Sequence, residues 1–135
     1  MRRNIAGTSP WEVLVGYSWA VRVGPHVHVA GTTATVQGVV TYPGDAAAQT
    51  RVALDIIGGA LKQAGAELRH VVRTRIYVTD VSQWEAVGRV HGEVFGEIRP
   101  AASMVQVAAL INPAHLVEIE ADAYIWDEVE AGSGS

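Results

Sequence analysis

Val117-Glu118-Ile119-Glu120-Ala121-Asp122-Ala123-Tyr124 alternates apolar and polar residues without a break. A strand turns successive side chains to opposite faces, so Val117, Ile119, Ala121 and Ala123 share one face, and Glu118, Glu120, Asp122, Tyr124 and Trp126 share the other. One face is core and the other is polar. Val71-Val72-Arg73-Thr74-Arg75-Ile76-Tyr77-Val78-Thr79 alternates likewise and sets Val72, Thr74, Ile76 and Val78 against Val71, Arg73, Arg75 and Tyr77. If the two strands are neighbours, Arg73 and Arg75 pair with Glu118 and Glu120. Such a ladder serves structure first. Chemistry needs one carboxylate left free in a cleft, and spacing does not say which one would act as acid or base.

Residues 18–23 and 25–33 read as two strands around a Gly24-Pro25 turn, with Val27 and Val29 alternating against His26 and His28. Asp45 is placed to cap a helix over 46–64, where Ala53, Ile57, Ala60, Leu61 and Ala64 form one apolar stripe and Gly65 supplies the left-handed stop. Gly58-Gly59 inside that helix costs about 1 kcal/mol per glycine relative to alanine, so close packing against another surface is expected there. A second helix runs over 82–95, opened by the capping-box pattern Ser82-Gln83-Trp84-Glu85, with Trp84, Val87, Val90 or His91 and Val94 inward. Pro100 prevents its continuation. Residues 103–110 and 116–126 are the last two strands. The order β-β-α-β-α-β-β predicts an α+β fold in which two helices pack on one face of a mixed sheet.

The chain has 135 residues, nearly half of them apolar. That is room for one core, expected as a single domain over 1–129 followed by a flexible tail over 130–135 of linker composition. The net charge of -4, with one lysine and nine scattered arginines, forms no basic stripe and argues against a nucleic-acid partner. The absence of cysteine excludes disulfides, thiolate nucleophiles and Cys-ligated zinc, and the cytoplasm fits best. No apolar stretch approaches the length that spans a bilayer, so no membrane partner is expected. His26 and His28 have a spacing able to share a metal, but no third ligand accompanies them and no metal site is expected. His91 reads as a hydrogen-bonded core or interface residue, and His70 and His115 as surface. No phosphate loop, nucleophile elbow or HExxH motif occurs, so no cofactor is indicated. Tyr17, Trp19, Trp84 and Trp126 serve packing or line an aromatic pocket.

Taken in order, Gly16-Tyr17-Ser18-Trp19-Ala20-Val21, Val29-Ala30-Gly31, Gln49-Thr50-Arg51, the 71–80 stretch, Arg99-Pro100-Ala101 and Val117-Glu118-Ile119-Glu120-Ala121 resemble the RidA/YjgF family over about residues 17–124. The resemblance implies a homotrimer of chorismate-mutase-like fold with ligand clefts between adjacent subunits. The family's deaminases hydrolyse imines and enamines such as 2-iminopropanoate, and an arginine in a Pro-Ala-Arg-Ser-type motif grips the substrate carboxylate. Here that motif reads Pro100-Ala101-Ala102-Ser103. The resemblance carries over the family's tyrosine as Tyr17, its pocket glycine as Gly31 and its water-positioning glutamate as Glu118.

Ala30, Gly88 and Met104 stand where serine, asparagine, and cysteine or threonine are usual, and Trp19 where arginine or glutamine is common. Losing a charge-assisted partner in a desolvated cleft costs about 2 to 5 kcal/mol. An arginine-less member is therefore expected to be a weak 2-imino acid deaminase or none, and a neutral, amine-bearing or aromatic ligand suits Ala102 and Met104 better. Arg22, Arg75 and Arg99 are the arginines able in principle to replace the missing one. The expectation is a trimeric small-molecule-binding protein with hydrolase-like chemistry on an imine or enamine, Glu118 activating water and Tyr17 shaping a pocket that includes Trp19, Gly31, Gly88, Ala102 and Met104. The alternative is a non-catalytic trimer, either a natural ligand binder or an engineered assembly component, suggested by Ala102, the Gly-Ser tail and the apolar outer stretch Ile56-Ile57-Gly58-Gly59.

Overall fold

A computed structural model of the chain describes residues 1–127; the 130–135 tail lies outside the described residues. In chain order the elements are β1 (Arg2–Ile5), α1 (Trp11–Val15), β2 (Ala20–Val23), β3 (His26–Thr32), the small hairpin β4 (Thr35–Val36) and β5 (Val39–Val40), α2 (Ala46–Gln63), β6 (Val71–Val78), α3 (Trp84–Phe95), β7 (Ala101–Gln106) and β8 (Val117–Tyr124). Six strands form one sheet in the order β1-β2-β3-β8-β6-β7. All pairings are antiparallel except β6 with β7. That pair is parallel because α3 crosses between them, as a parallel connection requires. The architecture is the expected α+β, chorismate-mutase-like mixed sheet.

β8 sits centrally between β3 and β6, and its Val117, Ile119, Ala121 and Ala123 are buried as the alternation predicts. They meet the α2 stripe of Ala53, Ile57, Ala60, Leu61 and Ala64, which is buried together with Leu54. Each buried leucine or isoleucine stabilises the fold by roughly 1.5–3 kcal/mol, so this helix-on-sheet seam is the main source of cohesion. Asp45 Oδ1 accepts the Ala48 N–H at 3.0 Å, and Gly65 takes φ +86° just past the helix end. Both ends of α2 thus form where the sequence placed them. α2 packs on one face, against β3 and β8, and the opposite face presents the polar half of β8.

Several expectations are corrected. β1 and α1 precede the first predicted strand. Arg2-Arg3-Asn4 gives no apolar alternation, and β1 is an exposed edge strand held by its register with β2. β6 carries a bulge: Val71 opposes Ala123 and Arg73 opposes Asp122, leaving Val72 as the extra residue. Val71 is therefore buried and Val72 exposed, the reverse of simple alternation. The Ser82–Glu85 capping box does not form. Asp80 takes both the Ser82 N–H and its hydroxyl, opening a 3-10 turn over Val81–Gln83, while Glu85 pairs with Arg89. Trp84 consequently points outward. β7 starts at Ala101 and ends at Gln106, earlier than expected at both ends. Ile57 is fully buried, so 56–59 is not an apolar outer stretch. Trp126 lies beyond β8, beside the ring of His70 and the guanidinium of Arg69.

His70 and His115, expected at the surface, are both buried. His70 Nδ1 accepts the Glu67 N–H at 3.0 Å, which leaves Nε2 to donate to Asp127 Oδ1 at 2.7 Å. Arg69 also binds Asp127, so the end of the described chain is clamped onto the start of β6. Asp127 is held down to about pKa 2, first by the Arg69 hydrogen bond and then by His70.

Candidate functional site

The polar face of β8 offers three carboxylates, and the strand registers decide their partners. The β6 bulge places Arg73 opposite Asp122, Arg75 opposite Glu120 and Tyr77 opposite Glu118. Arg75 Nη1 binds Asp122 at 2.8 Å and lies 3.9 Å from Glu120. His28 Nδ1 lies 2.8 Å from the other Asp122 oxygen. Tyr77 donates its hydroxyl to Glu120 at 3.0 Å, and Arg73 donates to Ser103 Oγ at 3.2 Å. The expected ladder thus exists for Arg75 and Glu120, displaced toward Asp122. Arg73 and Glu118 do not join it.

Glu118 is left without a hydrogen-bond or ion-pair partner among the described residues. Its carboxyl is half-buried, and burial first and the Glu120 charge second push its pKa up. The space it occupies is made by Gly31. β3 bulges between Val29 and Thr32, so Ala30 and Gly31 together stand against Glu120. A Cβ on Gly31 would lie 2.5 Å from Glu118 Oε2 and 2.9 Å from Cδ. The structure therefore brings Gly31 and Glu118 together. A carboxylate with free lone pairs and reduced hydration is equipped to accept a proton from water or to pair with a cation.

Ala102 and Met104 lie elsewhere. In the parallel ladder they pair with Thr74 and Ile76, both buried on the helix side, whereas Ala101, Ser103 and Val105 accompany Arg73, Arg75 and Tyr77 on the open side. Ala102 is nonetheless exposed, because β7 is an edge strand. Gly88 on α3 has nothing within 4 Å of a built Cβ. Three residues on, His91 Nε2 meets Thr74 Oγ1 at 2.9 Å. Burial pushes the His91 pKa down, and the histidine is hydrogen-bonded as expected. Gly88, Ala102 and Met104 thus belong to the helix side of the sheet and Glu118 to the opposite side. One chain carries both groups and does not bring them together.

Tyr17 and Trp19 form a third location. The Tyr17 hydroxyl is 3.4 Å from Ser9 Oγ, and the Tyr17 N–H binds Glu12 O. Both Glu12 carboxylate oxygens accept the Gly7 N–H, fixing the segment before α1. Trp19 reaches over α2, where a Cβ on Gly59 would touch its Cη2 at 3.8 Å. Of the arginines able to replace the missing one, Arg22 donates to Gly24 O and Ala64 O, and Arg75 is bound to Asp122. Arg99 Nε donates to Gly96 O.

Two residues near the site were given no such role from sequence. Gln49, fully buried, donates to Thr41 O, Tyr42 O and Ala114 O and accepts the Leu116 N–H. His115 Nε2 lies 2.7 Å from Thr35 Oγ1, which is 3.0 Å from Thr33 Oγ1. Together they tie the loop after Gly31 to the segment before Glu118. Gln49 lies in the Gln49-Thr50-Arg51 stretch that carried the family resemblance. His115, set among Asn112-Pro113-Ala114, gave no pattern.

His26 stacks edge-on to Tyr124, and His28 is engaged by Asp122. Among the described residues no cluster of three or more His, Asp or Glu side chains is arranged to hold a metal. No helix of the described residues is long and apolar enough to cross a membrane.

Comparison with known proteins adds a family. The family model described as Endoribonuclease L-PSP matches residues 8–125. Rv2704 of Mycobacterium tuberculosis, a YjgF/YER057c/UK114 family member, superposes with TM-score 0.84 at 58% identity, covering 92% of this chain and 99% of its own. The 3-aminoacrylate deaminase RutC of Acinetobacter baylyi is 41% identical over 86 residues, 64% of this chain and 68% of its own. E. coli TdcF, solved with bound serine, superposes with TM-score 0.75 at 25% identity over 90% of this chain and 93% of its own.

Proposed function

This chain belongs to the Endoribonuclease L-PSP family, to which its YjgF-family structural relatives also point, and on that premise we propose that it works as a homotrimer with small-molecule clefts between adjacent subunits. Each subunit would bring its Gly31–Glu118 group to the Gly88–Ala102–Met104 group of a neighbour, which is how two groups on opposite faces of one sheet can line a single cleft. Two exposed surfaces support assembly. The open sheet face has its ion pairs only partly shielded, and α1 buries none of its own residues, with Val13, Leu14 and Val15 each more than two-thirds exposed. Exposed apolar patches of this kind mark contact surfaces.

The observation that carries the chemistry is the Glu118 carboxylate, unbonded among the described residues, in the notch left by Gly31. In the proposed reaction Glu118 takes a proton from water as the oxygen adds to the C=N carbon of an imine or the imine form of an enamine. With the imine nitrogen protonated at the outset, return of that proton from Glu118 to the carbinolamine nitrogen lets the C–N bond break and ammonia leave, while the carbinolamine hydroxyl gives its proton back to Glu118 as the carbonyl forms. The RutC relative is a deaminase of 3-aminoacrylate, an enamine that also carries a carboxylate, so it favours the reaction class and not the carboxylate-free ligand. Tyr17 would shape the cleft from the neighbouring N-terminal segment, and Trp19 its apolar wall. Ala102 supplies no charge for a substrate carboxylate, so turnover of 2-imino acids would be slow. A net charge of -4 and arginines engaged by carbonyls and carboxylates favour a small ligand over the RNA of the family's description. The cysteine-free composition suits the cytoplasm.

Two measurements on one preparation test this reading. Native mass spectrometry should give a trimer. Ammonia release from small carboxylate-free imines should fall by roughly 100-fold or more in Glu118→Gln, the usual scale for losing a general base. A stable monomer, or unchanged release in Glu118→Gln, would refute it.

A further inference from the structure

Three carboxylates and a small set of cations share the open face of the sheet, and the cations are divided unequally. Asp122 receives both Arg75 and His28, Glu120 receives the Tyr77 hydroxyl and the far side of Arg75, and Glu118 receives nothing from the described residues of its own chain. Arg73, the next cation on β6, is turned to Ser103 and stands opposite Asp122, four residues from the Tyr77 that opposes Glu118. Four strand residues span roughly 13 Å, beyond the reach of a contact ion pair. The side chain that does oppose Glu118, Tyr77, has its hydroxyl committed to the neighbouring carboxylate. The Gly88–Ala102–Met104 group that would face Glu118 across the cleft is uncharged throughout.

We infer that the cleft takes a cationic ligand lacking a carboxylate, a protonated amine or an iminium, and rejects amino and imino acids. The inference rests on the inter-subunit cleft proposed above and names its ligand class. A ligand cation would supply the counter-charge that the chain withholds from Glu118 alone among these three carboxylates. A ligand carboxylate would lie near Glu118 and Glu120 with Ala102 where a compensating cation is needed, and like charges in a partly desolvated site repel. Burial and Glu120 already disfavour the ionised form of Glu118, and a bound cation reverses that bias. Binding should therefore weaken on acidification, as Glu118 takes up a proton.

Ethanolamine and L-serine differ only by the carboxylate, and serine is the ligand held by the related TdcF. An NMR titration of the intact protein with each should show ethanolamine bound roughly tenfold or more tightly than serine. Glu118→Gln should abolish the ethanolamine shifts while leaving the remaining spectrum intact. Gly31→Ala, which displaces the same carboxylate without removing it, should weaken them. Serine bound as tightly as ethanolamine, or ethanolamine bound undiminished by Glu118→Gln, would overturn this inference in a protein that is still a trimer by native mass spectrometry. A monomer would overturn the cleft, and the ligand class with it.

Discussion

Gly31→Ala places a methyl carbon 2.5 Å from Glu118 Oε2, and the flexible carboxylate is what must move. The expected outcome is a protein with near-normal Tm that loses most of the proposed imine hydrolysis, measured by melting curves beside ammonia release. Glu118→Gln should do the converse for stability. A carboxyl whose folded pKa is raised begins to cost stability as pH passes its ordinary 4.5 and does so in full above the raised value, so the neutral amide should raise Tm near pH 7 and change nothing in acid. Asp127 has the opposite sign. Its folded pKa of about 2 against an ordinary 3.8 gives stability present above pH 4 and lost as pH falls toward 2. Acid titration of Tm should therefore be shallower over that window in Asp127→Asn. At this scale the sequence showed that a polar face with carboxylates existed, but not which carboxylate would be free. Two bulges, at Val72 and at Ala30-Gly31, set the rungs, and neither leaves a local signature strong enough to shift the register in advance.

α2 is the element most fully legible: Asp45, the apolar stripe and Gly65 all do what their residue types predict. Its interior glycines are a different matter. Close packing was expected of Gly58 and Gly59, yet within the chain built Cβ atoms meet Leu68 at 3.9 Å and Trp19 at 3.8 Å, ordinary contact distances. Gly58→Ala and Gly59→Ala should each stabilise the subunit by about 1 kcal/mol in urea unfolding. A loss of stability instead would show that another surface of the assembly presses on α2. The start of α3 was misread because Ser82 has two competing roles. Asp80, two residues upstream, captures its N–H and hydroxyl in a 3-10 turn before Ser82 can cap the helix with Glu85. β1 went unseen because Arg2-Arg3-Asn4 pairs through backbone alone.

For the whole molecule, a sheet with α2 packed on one side and ion pairs on the other separates the two groups proposed to meet in a cleft between subunits. The fold follows from alternation and capping, and the family from ordered fragments; the proposed cleft follows from neither, since the residues assigned to it face opposite ways in one chain. His115 and Gln49 tie the loop after Gly31 to the segment before Glu118, whereas Ala102 closes nothing within the subunit. The proposed ligand preference turns on the charge that Ala102 fails to supply. Ammonia release from freshly generated 2-iminopropanoate, compared between the wild-type chain and Ala102→Arg, tests it most directly. A slow wild type and a gain of roughly tenfold or more in Ala102→Arg are predicted, on the scale of restoring a desolvated charge partner; equal, high rates in both would contradict it.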